Sequence, residues 1–129
     1  MNLLNDFYAF QNEGIKNIPS IRRSGKTTTL KQIIRLHKMT TNRHIILLLP
    51  HLHFKWQYTD IKSNIDEVIS IKSKARDHFH LFDYDVFSDE VPNAEEIVSY
   101  NMPTNNYIGG FYTGQNIERQ VSKFEVILC

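Results

Sequence analysis

The chain has a single cysteine in 129 residues, Cys129, and it is the last residue. No disulfide can form within the chain, so a reducing, cytoplasmic setting is expected. Long apolar runs are also missing. The longest, Ile45 to Leu49, is far shorter than the roughly 20 residues needed to span a bilayer, so no membrane association is expected. The opening MNLLNDFYAF has no basic stretch ahead of an apolar one, so no signal peptide is expected in it. There is no internal repeat, no low-complexity tract and no linker rich in Gly, Ser or Pro. Nor is there an excess of one charge: 15 Lys and Arg against 14 Asp and Glu give a net +1. Such a chain has no global field to attract nucleic acid, and any such contact must use a local patch.

What is present is ordinary for a globular domain, 41% hydrophobic and 22% charged. The length suits one domain, residues 1–129, burying roughly two-thirds of the surface exposed by the unfolded chain. The pattern predicts these elements in order. Met1 to Gln11 is an amphipathic helix burying Leu3, Leu4, Phe7, Tyr8 and Phe10, ended by Gly14. Ile15 to Ile21 is a weak strand in which Pro19 argues against a central place. From Thr27, Leu30, Ile33, Ile34 and His37 mark one helix face to about Thr40–Asn42. His44 to Pro50 has the continuous apolar run of a strand buried on both faces. A second helix over His53 to Ile65 aligns Phe54, Tyr58, Ile61 and Ile65. Glu67 to Lys72 is a short strand, and His78 to Glu90 is one or two strand segments. A helix at NAEEIVSYN, a strand at NNYIGGFYTG and a last strand at KFEVILC complete the chain. Helices alternating with apolar strands indicate an α/β domain with a mostly parallel sheet, whose ligands bind beyond the C-terminal ends of the strands.

Two segments there carry chemistry. The first is SIRRSGKTTTL, Ser20 to Leu30. It ends like the phosphate loop G-x-x-x-x-G-K-[ST] but has Ser20 where the first glycine belongs. A triphosphate needs inward backbone N–H groups, a helix N-terminus and a mobile cation. Gly25 lets the backbone approach phosphate, Lys26 reaches its outer oxygens, and Thr27 offers a hydroxyl to Mg²⁺ at the start of the amphipathic helix. A basic turn with a solvated Lys26 is the structural alternative. The second segment is DVFSDEV, with Asp89 and Glu90 closing an apolar strand about sixty residues on. Mg²⁺ takes one or two carboxylates together with phosphate and water. Asp89 is suited to the metal, and Glu90, pointing elsewhere in an extended chain, to orienting or deprotonating a water. Ser88 is polar where an apolar residue is expected, and Asp83 and Asp85 are competing carboxylates.

Other features carry less. His51, His53, His78 and His80 lack further ligands at a zinc spacing and read as strand-end or surface residues. Lys31, Arg35 and Lys38 form a basic helix face, read as solvated rather than DNA-tracking. Trp56 and Tyr58 read as core or interface packing rather than base-stacking residues.

The loop IRRSGKTT resembles the ATP-binding loop of the large terminase subunit, the viral motor that pumps DNA into capsids. That family's loop commonly runs Arg-x-x-Gly-Lys-[Ser/Thr] and often lacks the first glycine. Arg22 sits three residues before Gly25, where the family carries an arginine implied to act on the phosphates in cis. Arg23 stands where the family often has glutamine, leaving open which arginine acts. DVFSDEVPNAEEI resembles the family's Walker B segment with its catalytic glutamate. YIGGFYTG resembles the strand ending in its coupling motif, here Thr113 and Gly114, and Phe10-Gln11 resembles an adenine-contacting Q motif. The loop and the Asp-Glu pair are shared with the wider additional-strand P-loop ATPases.

The resemblance implies a P-loop NTPase three-layer sandwich that binds ATP with Mg²⁺. It implies catalytic roles for Glu90, Arg22 and Lys26 and nucleotide contacts from Gln11, Arg23, Ser24, Gly25, Lys26, Thr27 and Thr28. Thr27 and Asp89 would hold the metal. The implied partners are double-stranded DNA through an assembled homo-oligomeric motor, the portal and the small terminase subunit. A full large subunit has a nuclease domain after the ATPase, and none is read in this chain. Another P-loop motor, helicase-like or recombinase-like, and a truncated nucleotide-binding protein without turnover are the alternatives.

Overall fold

A computed structural model describes residues 3–21, 25–71 and 83–114 of the chain. The expected strand at 123–129 and the segment 78–82 lie outside them. The first helix, α1 (Leu3–Asn12), buries Leu3 and Phe7. Tyr8, expected inside, is exposed instead and meets the edge of the Phe7 ring. Gly14, at φ 79°, takes the chain out of the helix in the left-handed conformation that costs glycine least. Strand β1 (Asn17–Ser20) follows. It pairs in parallel with one neighbour and ends the described sheet, so the missing N–H of Pro19 is tolerated.

Helix α2 (Lys26–Thr41) buries Leu30, Ile33 and Ile34 on the predicted face and ends at Asn42 in the left-handed region. Strand β2 (Ile45–Leu49) is buried throughout. The segment predicted as an α-helix is a 3₁₀ helix, Leu52–Asn64, with a non-helical Ile61 inside it. The segment kinks at Ile61, and Tyr58 and Ile61 are its buried residues. Strands β3 (Glu67–Ser70) and β4 (Asp85–Asp89), helix α3 (Ala94–Asn101) and strand β5 (Asn106–Thr113) complete the described chain.

The five strands form one sheet in the order β1-β5-β4-β2-β3, every pair parallel. Alternation along β2 explains its unbroken apolar run. Ile45, Leu47 and Leu49 join Phe7, Leu30, Ile33, Tyr58 and Phe111 on the face covered by α1, α2 and the 3₁₀ helix. Ile46 and Leu48 join Val86, Ala94, Val98 and Tyr107 on the face covered by α3. Both faces of a parallel sheet need such cover, and both receive it.

Three polar residues sit inside this frame. Ser88, the polar intrusion in β4, is fully buried and shares a 2.7 Å hydrogen bond with the Tyr107 hydroxyl. Tyr107 donates onward to the Asn17 amide oxygen, and the Asn17 amide nitrogen donates to the carbonyls of Val91 and Pro92. The chain thereby ties β1, β4, β5 and the turn after β4 together without leaving a buried hydroxyl unpaired. Burial pushes the Tyr107 phenol well above its ordinary value, with the Ser88 hydrogen bond opposing that rise and the Glu95 charge adding to it, so it remains a donor.

The glycine pair in β5 answers to close packing. A Cβ on Gly110 would stand 2.1 Å from the Ser88 carbonyl oxygen, and one on Gly109 would stand 2.8 Å from the Gln11 amide and the Lys16 carbonyl oxygen. Between β4 and β5 the register jumps so that Val86 faces Tyr107 and Phe87 faces Gly109. The skipped Ile108 carbonyl accepts a 2.7 Å hydrogen bond from the Gln11 side chain, which satisfies a group that the bulge withdraws from the ladder. Gly110→Ala is expected to lower stability by about 3 kcal/mol or more, because its neighbour is rigid backbone. Urea unfolding measures the loss, and a variant within about 1 kcal/mol of the parent would contradict the close approach.

Candidate functional site

The C-terminal ends of β2, β4 and β5 and the start of α2 surround an open cleft of about 470 Å³. Lys26 and Thr27 line it from α2, Leu49 and Pro50 from the end of β2, and Phe54 and Gln57 from the 3₁₀ helix. Asp89 and Glu90 enter at the end of β4 and Thr113 at the end of β5. The two chemistry-bearing segments of the sequence therefore meet in one place.

Gly25 precedes α2 at φ 84° and, as glycine, offers no side-chain cap. A helix N-terminus without such a cap has first-turn N–H groups open to another acceptor. A Cβ on Gly25 would meet nothing within 4 Å, so the left-handed backbone, not space, calls for glycine. Lys26 is buried, and its ammonium lies 3.3 Å from Glu90 Oε2 and 3.4 Å from the Ile21 carbonyl oxygen. Thr28 is exposed on the outer side of the same turn. Arg22, Arg23 and Ser24 lie outside the described residues.

Asp89 is 3% exposed. Its Oδ2 accepts a 2.9 Å hydrogen bond from the Thr27 hydroxyl and a second from the Tyr58 hydroxyl. Its Oδ1 is buried with no partner among the described residues. Burial raises the Asp89 carboxyl above its ordinary value, and the hydroxyls of Tyr58 and Thr27 oppose that rise. Burial likewise holds the Tyr58 phenol far above its ordinary value, with the Asp89 charge adding to it. A buried carboxylate oxygen without a donor is costly and suits a cation. Among the described residues no group of three or more His, Cys, Asp or Glu is arranged to hold a metal alone. A threonine, one aspartate and a phosphate-bearing ligand do not need such a group.

Glu90 departs from the extended path expected for it. Its φ is 61°, and its N–H donates 2.8 Å to the Phe111 carbonyl. This left-handed turn brings the carboxylate back over the sheet end. There Oε1 accepts from the Thr113 N–H at 2.8 Å and Oε2 from the Thr113 hydroxyl at 2.7 Å. A non-glycine residue held at such a φ costs about 1–3 kcal/mol and is concentrated at functional sites.

The remaining candidates fall elsewhere. Gln11 is not among the cleft-lining residues; its amide serves the β5 bulge. Gly114 packs where a Cβ would lie 2.5 Å from Pro19, and its N–H donates to the Ser20 carbonyl. Asp83 and Asp85 lie at the far end of β4 with Arg43 and His37. Lys31 pairs with Asp60 and Lys38 with Asp66, so two members of the basic face fasten α2 to the segment after β2. His51 and His53 stack on each other, and His78 and His80 are outside the described residues.

Sequence reasoning missed Tyr58 as a site residue, and Phe54 and Gln57 with it. The apolar spacing of Phe54 and Tyr58 marked them as packing, Gln57 carried no signal, and nothing local in the sequence links Tyr58 to a carboxylate about thirty residues on. Among the described residues no helix is long and apolar enough to cross a membrane. Compared with known families, curated proteins and solved structures, the chain matches none. Function is therefore argued from the site's own chemistry.

The raised Asp89 carboxyl has a definite consequence for the metal-free protein. A carboxyl whose folded value lies above its unfolded value stabilises the fold below the ordinary carboxylate range and loses that contribution as pH rises through the raised value. Asp89→Asn is thus expected to raise the unfolding midpoint in EDTA near neutral pH by about 4 °C, corresponding to about 1 kcal/mol. The gain shrinks as pH is lowered through the raised carboxyl value, because Asp89 then becomes protonated. A lower midpoint than the parent at neutral pH, read by calorimetry, would contradict the half-satisfied carboxylate.

Proposed function

We propose that the protein binds ATP together with Mg²⁺ and hydrolyses it, as the ATPase core of a DNA-packaging motor of the terminase type. One observation carries the nucleotide reading. Lys26, Thr27, Asp89 and Glu90, drawn from two distant segments, line one cleft beyond the C-terminal ends of a parallel sheet. The covering of both sheet faces by helices supports a P-loop three-layer sandwich. The sheet order supports it further. Strand β5 stands between β1, which leads into the loop, and β4, which carries the carboxylates, as the term additional-strand describes.

In this reading the first-turn amides of α2 and the Lys26 ammonium bind phosphate oxygens. Thr27 and Asp89 would hold Mg²⁺, and the buried Oδ1 of Asp89, without a partner among the described residues, fits that role. Bound Mg²⁺ neutralises charge on the phosphates and helps align them. Glu90 orients the attacking water and accepts its proton, and Arg22 stabilises charge on the transferring group. The motor assignment rests on the resemblance of IRRSGKTT and DVFSDEV to the terminase segments.

A second reading has its own support. Both Glu90 oxygens are engaged by Thr113, and one also faces Lys26, so Glu90 here is held away from general-base work. A protein that keeps this arrangement with ligand bound would bind nucleotide without turnover.

Lys26→Ala is expected to abolish Mg·ATP binding measured by calorimetric titration, and unchanged affinity would sink the site. Glu90→Gln is expected to retain binding while phosphate release falls by about 100-fold or more. Retained turnover in Glu90→Gln removes Glu90 from the base role, and absence of turnover in the assembled parent protein favours the binding-only reading. Turnover stimulated by DNA, together with binding to a portal, separates a packaging motor from other P-loop motors.

A further inference from the structure

We infer that Tyr58 is a positioning residue for the metal-binding carboxylate: its hydroxyl holds Asp89 in the orientation that leaves Oδ1 for a divalent cation. The inference rests on the ATP and Mg²⁺ reading above and assigns to that site a residue outside both of its sequence segments.

The case begins with where Tyr58 lies. It is 2% exposed and sits in the core cluster with Leu30, Leu47 and Phe87. Packing alone in such surroundings is served as well by phenylalanine, and a buried hydroxyl is costly unless it is paired. With the Thr27 hydroxyl beside it, the Tyr58 hydroxyl donates to Asp89 Oδ2. That oxygen already accepts from Thr27, so two hydroxyls from two elements converge on one carboxylate oxygen while the other has none. A donor would relieve Oδ1, yet the described surroundings provide none.

Two donors matter because of the torsion they restrain. The χ2 angle of aspartate is broad and roughly two-fold, so a carboxylate held at one point can swing. Thr27 sits on α2, the helix that would carry the nucleotide's phosphates, and its hydroxyl is itself a proposed metal ligand. Its hold on Asp89 therefore changes with the state of the site. Tyr58 sits on the 3₁₀ helix, outside the phosphate loop, and gives Asp89 a second anchor that the ligand does not use. The neighbouring Gln57 and Phe54 line the cleft, so this helix both walls the site and fixes its acid.

The test is a Mg²⁺ titration of ATP-induced thermal stabilisation, run on the parent, Tyr58→Phe and Tyr58→Met. The two variants share the lost hydroxyl and fill the core differently, so a packing defect peculiar to one is exposed by the other. Both are expected to need about 10- to 100-fold more Mg²⁺ for half-maximal stabilisation, as for other groups that orient metal ligands. Affinity for ATP in EDTA is expected to stay at the parent's value. Parent-like Mg²⁺ midpoints in the variants overturn the role of Tyr58 while leaving the ATP reading intact. Weakening of Mg²⁺-free ATP binding to the same degree also overturns it, since general damage then explains the loss. A parent protein that shows no Mg²⁺-dependent stabilisation by ATP overturns the ATP reading and this role together.

Discussion

Helix α2 is fastened to strand β4 at both ends, and the site depends on that double attachment. Near the N-terminus of α2, Thr27 donates to Asp89; near its C-terminus, His37 Nε2 lies 2.6 Å from Asp85 Oδ2. The spans agree. Ten helical steps from Thr27 to His37 cover about 15 Å, and four strand steps from Asp85 to Asp89 cover about 13 Å. Leu30, Ile33 and Ile34 fill the interval between the two ties with buried apolar contact. Such a helix has little freedom to slide along the sheet, and its first turn is held over the strand ends where the cleft opens.

The two aspartates of β4 show how one strand can build a support and a site from the same residue type. Asp85 is 2% exposed and Asp89 3%. Asp85 is saturated: His37 takes one oxygen, while Arg43 Nε, at 2.8 Å, and the Asn106 amide reach the other. The same pairing, first with Asp85 and then with Asp83, holds the Arg43 guanidinium above its ordinary value. Asp89 is left half satisfied. A buried charge with full partners is a fixed part of the fold, and removing a partner typically costs about 3–5 kcal/mol. A buried carboxylate with an open oxygen has room for a further donor or a cation. Burial is the same in the two cases; the difference lies in the partners supplied by other elements.

That difference also explains what the sequence made legible. The apolar face of α2 and the run IILLL in β2 follow from local period and composition, and both elements appear where the pattern places them. The segment SIRRSGKTTTL and the Asp-Glu pair stood out in the sequence because each is a short motif with its own chemistry. Other features depend on distant atoms. Ser88 reads as an intrusion until Tyr107 and Asn17 are beside it. The 3₁₀ geometry of Leu52–Asn64 was hidden because Phe54, Tyr58, Ile61 and Ile65 satisfy a 3.6-residue period on paper. Tyr58 was correctly legible as a core residue, but its hydroxyl is explained only by Asp89. The left-handed turn at Glu90 was invisible for a different reason: that conformation is favoured by glycine and asparagine, and the residue type gives no hint of it.

The strained turn and the buried lysine make one device when taken together. Lys26 is an ammonium with little solvent, so it needs an anion, and Glu90 supplies it at 3.3 Å. Glu90 reaches that position through its unfavourable φ and is retained by two hydrogen bonds from Thr113 at the end of β5. Under the proposed function, a triphosphate brings more charge to Lys26 than one carboxylate does and displaces Glu90 as its counter-ion. The glutamate then loses one of its holds at the moment a phosphate arrives, and the remaining hold belongs to Thr113. Release of the base is thereby tied both to occupancy of the loop and to the position of the C-terminal end of β5. The residue the sequence marked for coupling stands where ligand binding and catalysis would have to communicate.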